Sequence, residues 1–177
     1  MNAAAAYGLL AHGVIFGALI ALLPLGDLRA RAALAATAMA MVVGIAPAMH
    51  GIFGTPSMTL LSLAVLQLAG KPSPLSPRPA LGLLAFVLPF YMMALGMVTF
   101  DPYAFGYQPW APLILLAPIG FGLWWQRQDV WLMILAADLA AYAGSFFANL
   151  WDALFDPLLV LLALIVAARP LAFRLIA

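Results

Sequence analysis

Cysteine is absent from the chain, which removes disulfides, thiolate nucleophiles and Cys-ligated zinc or iron–sulfur centres from consideration. Charge is nearly absent as well: Asp, Glu, Lys and Arg make up 7% of the 177 residues, against roughly 25% in a typical soluble domain. The formal net charge is +1 and there is no basic run, so neither nucleic acid nor an anionic lipid surface is an expected partner. The longest polar stretch, 70–79, is far below the size of an independently folding unit. No soluble domain can therefore be separated, and residues 1–177 read as one polytopic membrane domain. No internal repeat, inverted pair of segments, catalytic motif or cofactor motif stands out, so neither a cofactor nor a metal is expected. Met1 to Ala6 carries no basic residue ahead of its apolar run, which predicts that the first helix is retained rather than cleaved as a signal peptide.

What is present is hydrophobic. Apolar residues make up 67% of the chain and the mean hydropathy is +1.12, which predicts an all-α integral membrane bundle. Charge, Pro and Gly divide the apolar material into runs at 3–25, 32–53, 56–69, 80–100, 111–125, 130–148 and 150–168. A helix needs about 20 residues to cross roughly 30 Å of hydrocarbon, fewer where the bilayer thins. The count is therefore seven spans, or six if one of the short third and fifth runs is dropped. Thr55-Pro56 and Ala111-Pro112 read as helix starts, because proline in a first turn loses no intrahelical hydrogen bond.

The basic residues orient the bundle. Arg29 and Arg31 follow the first run, Lys71 and Arg78 the third, Arg127 the fifth, and Arg169 and Arg174 the last. In a seven-span arrangement they all fall on one side, predicted cytoplasmic, with the N-terminus outside and the C-terminus inside. A six-span count scatters them over both faces. Trp124 and Trp125 then belong to the inner aromatic belt, and Trp110 and Trp151 to the outer one. Gly13 and Gly17 form a GxxxG, and Ala136, Ala140, Ala143 and Gly144 a small-residue face; both predict close helix packing. Pro47, Pro89 and Pro118 lie inside runs and are expected to kink them.

The unusual residues are polar groups at membrane depth. Asp138 lies about eight residues into the sixth run, roughly 12 Å deep at 1.5 Å per residue, where a carboxylate is costly and a functional candidate. Tyr142, Ser145, Asn149, Asp152 and Asp156 continue from it at helical spacing, a stripe that serves either as a binding face or as an interhelical hydrogen-bond seam. A turn must interrupt it between Gly144 and Asp156, starting the last helix after Asn149 as a cap or at Asp156-Pro157. His12 lies at a similar depth and is the expected partner of Asp138 in a proton relay. His50 is expected about 9 Å from the depth of His12, too far for shared haem ligation.

A second set gathers at the predicted outer surface: His50, Asp101, Tyr103, Tyr107, Trp110, Trp151, Asp152 and Asp156. Flat rings beside carboxylates suit a sugar ring or a protein partner, and interfacial belting also explains the rings. Three functions follow as expectations. The first is a non-enzymatic subunit that docks with and stabilises a larger envelope enzyme or transport complex, its partners being membrane lipid and another integral membrane protein or further copies of itself. The second is a small proton-coupled transporter using Asp138, Tyr142 and His12. The third is handling of a lipid-linked or sugar-bearing substrate at the outer leaflet. Ala/Leu-rich runs with Arg in place of most Lys point to a bacterial inner membrane.

Overall fold

The computed structural model describes residues 3–108 and 110–176; Met1, Asn2, Pro109 and the Arg174 side chain, used in the sequence reading, lie outside what is described. All regular structure among the described residues is helical: α1 (Ala3–Ile20), α2 (Arg29–Val42), α3 (Ile45–Phe53), α4 (Met58–Leu68), α5 (Pro77–Ala94), α6 (Trp110–Trp125), α7 (Asp129–Ala143), α8 (Leu150–Leu154) and α9 (Pro157–Ile176), with 3₁₀ turns at Gly26–Leu28 and Tyr103–Tyr107. Two of the helices, α1 and α5, are long and apolar enough to cross a membrane, and several others are shorter apolar helices.

The second run is broken. Instead of one helix over 32–53, α2 and α3 meet at a bend of 72°. The break sits at Gly44, whose φ of +82° is a left-handed conformation that residues with a Cβ adopt at a cost. Pro47, expected to kink a continuous helix, lies in the first turn of α3, where its missing N–H has no carbonyl to lose. The third run also starts later than Thr55-Pro56 suggested. Ser57 is the cap of α4, its hydroxyl accepting from Leu60 N–H at 3.2 Å, so a side-chain oxygen rather than proline sets the start.

The final run divides as well, and both proposed starts are used. Asn149 caps the five-residue α8 by accepting from Trp151 N–H at 3.0 Å, and Pro157 opens α9. The polar stripe from Asp138 is therefore not one helical face. Helix α7 stops at Ala143, and Ser145 turns the chain with φ +60°, leaving Ser145 exposed.

Apolar positions at spacings of three and four pack the helices. Leu84, Val87 and Phe90 of α5 meet Leu159, Ala163 and Val166 of α9 in the main core, with Trp151, Phe155 and Leu60. Burying these side chains from the aqueous unfolded chain would favour folding, but between helices in lipid the gain is close packing. Helix α4 is the centre, in contact with α1, α7, α8 and α9, whereas α6 rests on α7 and on the Tyr103–Tyr107 turn. The small-residue face expected on α7 is not its packed face: Ala136, Ala140, Ala143 and Gly144 are exposed, and Ile134, Asp138 and Ala141 point inward. Ile134 and Asp138 fill most of the space α4 leaves beside α7, and these three alanines face out.

The GxxxG of α1 does pack, against α2. A Cβ on Gly17 would overlap Thr37 Oγ1 and come within 2.8 Å of the Ala33 carbonyl, and one on Gly13 would lie 3.2 Å from Met41 Sδ. Gly17→Leu is thus expected to destabilise the protein by about 1–3 kcal/mol, as overpacking does, measured by thermal unfolding in detergent. Gly82→Ala, whose new Cβ meets nothing within 4 Å, should stay within about 0.5 kcal/mol of the parent.

Candidate functional site

Polar side chains converge at the end of the bundle where α4 and α9 begin. Asp156 is buried at 5% exposure and is fully used. Its Oδ1 accepts from Leu158 N–H at 2.7 Å and Leu159 N–H at 3.0 Å, capping α9. Its Oδ2 accepts from the backbone N–H of Ser57 at 2.6 Å, the residue that caps α4. One carboxylate therefore ties together the positive ends of two helices, where an anion is favoured. At the other end Arg29 does the converse: Nε donates to the Ala21 carbonyl at the end of α1 at 2.9 Å, and Nη2 donates to the Gln67 carbonyl in the last turn of α4. The Asp156 and Arg29 side chains both hold helix ends.

The segment before α6 is latched to α8. Asn149, fully buried, donates through Nδ2 to the Tyr103 carbonyl at 3.0 Å. Trp151 Nε1 donates to the Pro102 carbonyl at 3.0 Å, and the Tyr103 hydroxyl donates to Asp152, 2.9 Å from Oδ2. Asp101 Oδ1 accepts from Tyr103 N–H at 2.9 Å. Gly106 lies so close to Asn149 Oδ1 that a Cβ would overlap it. Burial pushes the Asp152 carboxyl above the usual carboxylate range, and the Tyr103 hydroxyl opposes this. The Tyr103 phenol is in turn pushed up by burial and then by Asp152, so it remains a neutral donor through the physiological range. Of the outer set, then, Asp101, Tyr103, Trp151 and Asp152 form one latch, Asp156 is the double cap, and Tyr107 and Trp110 are exposed at 57% and 77%. A recess of about 310 Å³ does run past Asp152, Asp156 and Tyr91, but the carboxylates on it are already engaged.

The histidines differ from expectation in two ways. His12 is not paired with Asp138: its Nε2 donates to the Gly54 carbonyl at 2.9 Å. His50 is not offset in depth from His12. Its Nδ1 donates to the same carbonyl at 3.1 Å, and the ring centroids are 5.9 Å apart. The bend at Gly44 carries α3 back over α1, and Gly8 leaves room, since a Cβ there would lie 2.5 Å from the His50 ring. Both donors are spent on one oxygen, a clasp for the loop that leads into α4. No group of three or more His, Asp or Glu placed to hold a metal occurs among the described residues.

Asp138 is the exception. It is 2% exposed; Oδ2 accepts from Thr59 Oγ1 of α4 at 2.8 Å, and Oδ1 is buried without a partner. Asp138 also stands among the residues that line a cavity of about 190 Å³, with Leu83 and Phe86 of α5, Leu116 and Ile119 of α6, and Trp131 of α7. That cavity lies between α5 and α6, where α6 has its main packing against α7. Tyr142 is half-buried elsewhere, beside Ala141, Phe147 and Ala153, and does not join Asp138. A carboxylate with one oxygen satisfied, in the lining of an apolar cavity, can receive a hydrogen bond or a cation from whatever fills the space.

No protein-family model, curated protein or solved structure matches the chain. Its chemistry is read from its own side chains. Sequence reasoning missed Thr59, Ser57 and Arg29. Ser57, directly after a proline and opening an apolar run, carried a cap signal; Thr59 and Arg29 carried none, since their partners are 79 and 38 residues away.

The contrast between two buried carboxylates is testable by thermal unfolding. Asp156→Ala strands three N–H groups, two of them buried, and is expected to cost about 3 kcal/mol. Asp138→Leu removes an unsatisfied oxygen and extends into the adjoining cavity, so it should be neutral or stabilising by about 1 kcal/mol. A large loss in Asp138→Leu would make Asp138 a structural seam.

Proposed function

We propose that the chain is a seven-span protein of a bacterial inner membrane, N-terminus outside, that works by binding rather than catalysis: the seam between α5 and α6 takes up a small amphiphile from the bilayer. The bent pair α2–α3 serves as one span and α8 lies at the outer surface. Two observations support this topology. The starts of α4 and α9 share Asp156, and the ends of α1 and α4 share Arg29, so these helices run in register between two common ends, with the basic residues at the Arg29 end. The chain's lack of cysteine gives a direct check. Gln108→Cys should react with an impermeant maleimide added outside intact cells, and Gln128→Cys only after the membrane is opened; the reverse pattern would invert the topology.

The observation that carries the binding role is that Asp138, whose Oδ1 is buried without a partner, is one of the residues lining this cavity. A buried polar atom without a partner costs about 1–3 kcal/mol, and an intramembrane carboxylate is a functional site by default. Size favours a small molecule over a partner's helix: about 190 Å³ compares with the roughly 150 Å³ cavity that admits benzene. A docking role has no comparable single feature behind it, because apolar faces on a membrane protein meet lipid in any case. A proton relay through His12 lacks its first link, as His12 is engaged by Gly54.

Trp131 and Trp151 line the cavity and report on it. In nanodiscs, with the exposed Trp110, Trp124 and Trp125 changed to Phe, a ring-bearing bromide of benzene size should quench the remaining fluorescence saturably. Ile119→Phe, which places a ring in the seam, should abolish that saturable component. Linear quenching, unchanged by Ile119→Phe, would mean simple partition into lipid and would remove the binding role.

A further inference from the structure

We propose that the amphiphile held in this seam is a lipophilic amine, bound as its N–H-bearing ammonium ion between Asp138 and the surrounding rings; this rests on the seam being a ligand site. The walls and the floor point to the same chemistry. Four aromatic residues line the cavity, Phe86, Trp131, Trp151 and Phe155, and ring faces attract cations most strongly where water is excluded. Trp151 spends its N–H on the Pro102 carbonyl, so it offers the cavity a ring and no donor. The Thr59 hydroxyl gives its one hydrogen to Asp138 Oδ2, and Oδ1 is left to accept.

Charge then selects among donors. Asp138 forms no ion pair among the described residues, and Thr59 is its one polar contact there. Without an ion pair a buried carboxyl is held as its neutral acid, so an alcohol or amide meets it only as one neutral dipole meets another. A lipophilic amine can take the carboxyl proton as it binds, so that ammonium and carboxylate form together, and their charge-assisted hydrogen bond is about twice as strong as a neutral one. An acid brings no base to take that proton. The apolar remainder of the ligand, about the size of a benzene ring with a short chain, fills the seam between α5 and α6, through which a lipid-dissolved molecule enters sideways.

Three probes that share a body and differ in the head make the test: 4-bromophenethylamine, 4-bromophenethyl alcohol and 1-bromo-4-ethylbenzene, titrated at pH 7 into the nanodisc protein with only Trp131 and Trp151 as fluorophores. The amine is expected to quench saturably at roughly tenfold lower concentration than the alcohol, with the ethylbenzene weaker still. Asp138→Asn, which keeps the shape and removes the charge, should bring the amine to the level of the alcohol. Equal affinity of amine and alcohol, or an Asp138→Asn variant that still prefers the amine, overturns the ammonium assignment while leaving the seam as a ligand site. Failure of all three probes to quench saturably in the folded parent protein removes both. Should Asp138→Asn not fold, Thr59→Val serves in its place: it leaves the carboxylate with neither oxygen satisfied by the protein, and the preference for amine over alcohol is expected to persist or increase. Its disappearance there overturns the assignment.

Discussion

The short helix α4 makes the strongest demand on the rest of the molecule. Its 11 residues span about 16 Å at 1.5 Å per residue, roughly half of a hydrocarbon core. Each end of a helix leaves backbone groups without partners, and in so short a helix these are a large share of the whole. The chain supplies partners for them. At the start, Ser57 covers the Leu60 N–H and Asp156 covers the N–H of Ser57. At the end, the chain reverses through Gly70, at φ +69°, so that Gly70 and Lys71 donate back to the Gln67 and Leu66 carbonyls, and Arg29 donates to Gln67 as well. An anion sits at the positive end and a cation at the negative end, so both complement the helix dipole. Because Asp156 also starts α9 and Arg29 also closes α1, satisfying α4 fixes three helices together.

That constraint explains which parts of the fold could be read in advance. Composition alone placed the chain in the membrane class, and the first and fourth runs became the two long apolar helices, because these properties are local. The caps at Asn149 and at Asp156-Pro157 were also legible, since an Asx side chain acts on N–H groups two and three residues ahead. What was hidden was non-local. The Asp156 bond to Ser57 joins residues 99 apart, and nothing near Asp156 announces it. The bend at Gly44 was missed for a different reason: glycine is common in apolar runs, and only the tertiary position of α3, carried back over α1 to bring His50 beside His12, makes a left-handed residue necessary there. Depths computed along straight helices then separated two rings that in fact share one carbonyl.

The buried carboxylates illustrate how similar residues acquire different roles. Spacing alone grouped Asp138, Asp152 and Asp156 into one stripe. In the fold, Asp156 accepts three backbone N–H groups, Asp152 takes the Tyr103 hydroxyl, and Asp138 has only Thr59. Satisfaction sets Asp156 apart, and burial separates the other two, since Asp152 and Asp138 each take one hydroxyl but only Asp138 is fully buried. A carboxylate whose oxygens are saturated by the chain contributes to its stability and has little to offer a ligand. One that is half-satisfied beside empty apolar space is a cost to the folded protein unless something else completes it, and removal of such a group by an apolar residue is then tolerated.

The cavity beside Asp138 follows from the same set of contacts. The latch formed by Asn149, Trp151 and Asp152 holds the Tyr103–Tyr107 turn over α8, and α6 starts a few residues later, resting on that turn and on α7. The turn therefore helps decide where α6 stands, mainly against α7. Thr59, meanwhile, is positioned two residues into the helix that Asp156 and Arg29 clamp, so the hydroxyl that orients the Asp138 carboxyl is held by the most constrained element of the bundle. The outer latch helps place one wall of the seam, and the central clamp holds Thr59 against Asp138. Among the described residues Asp138 Oδ1 is the one buried side-chain oxygen or nitrogen that these contacts leave without a partner.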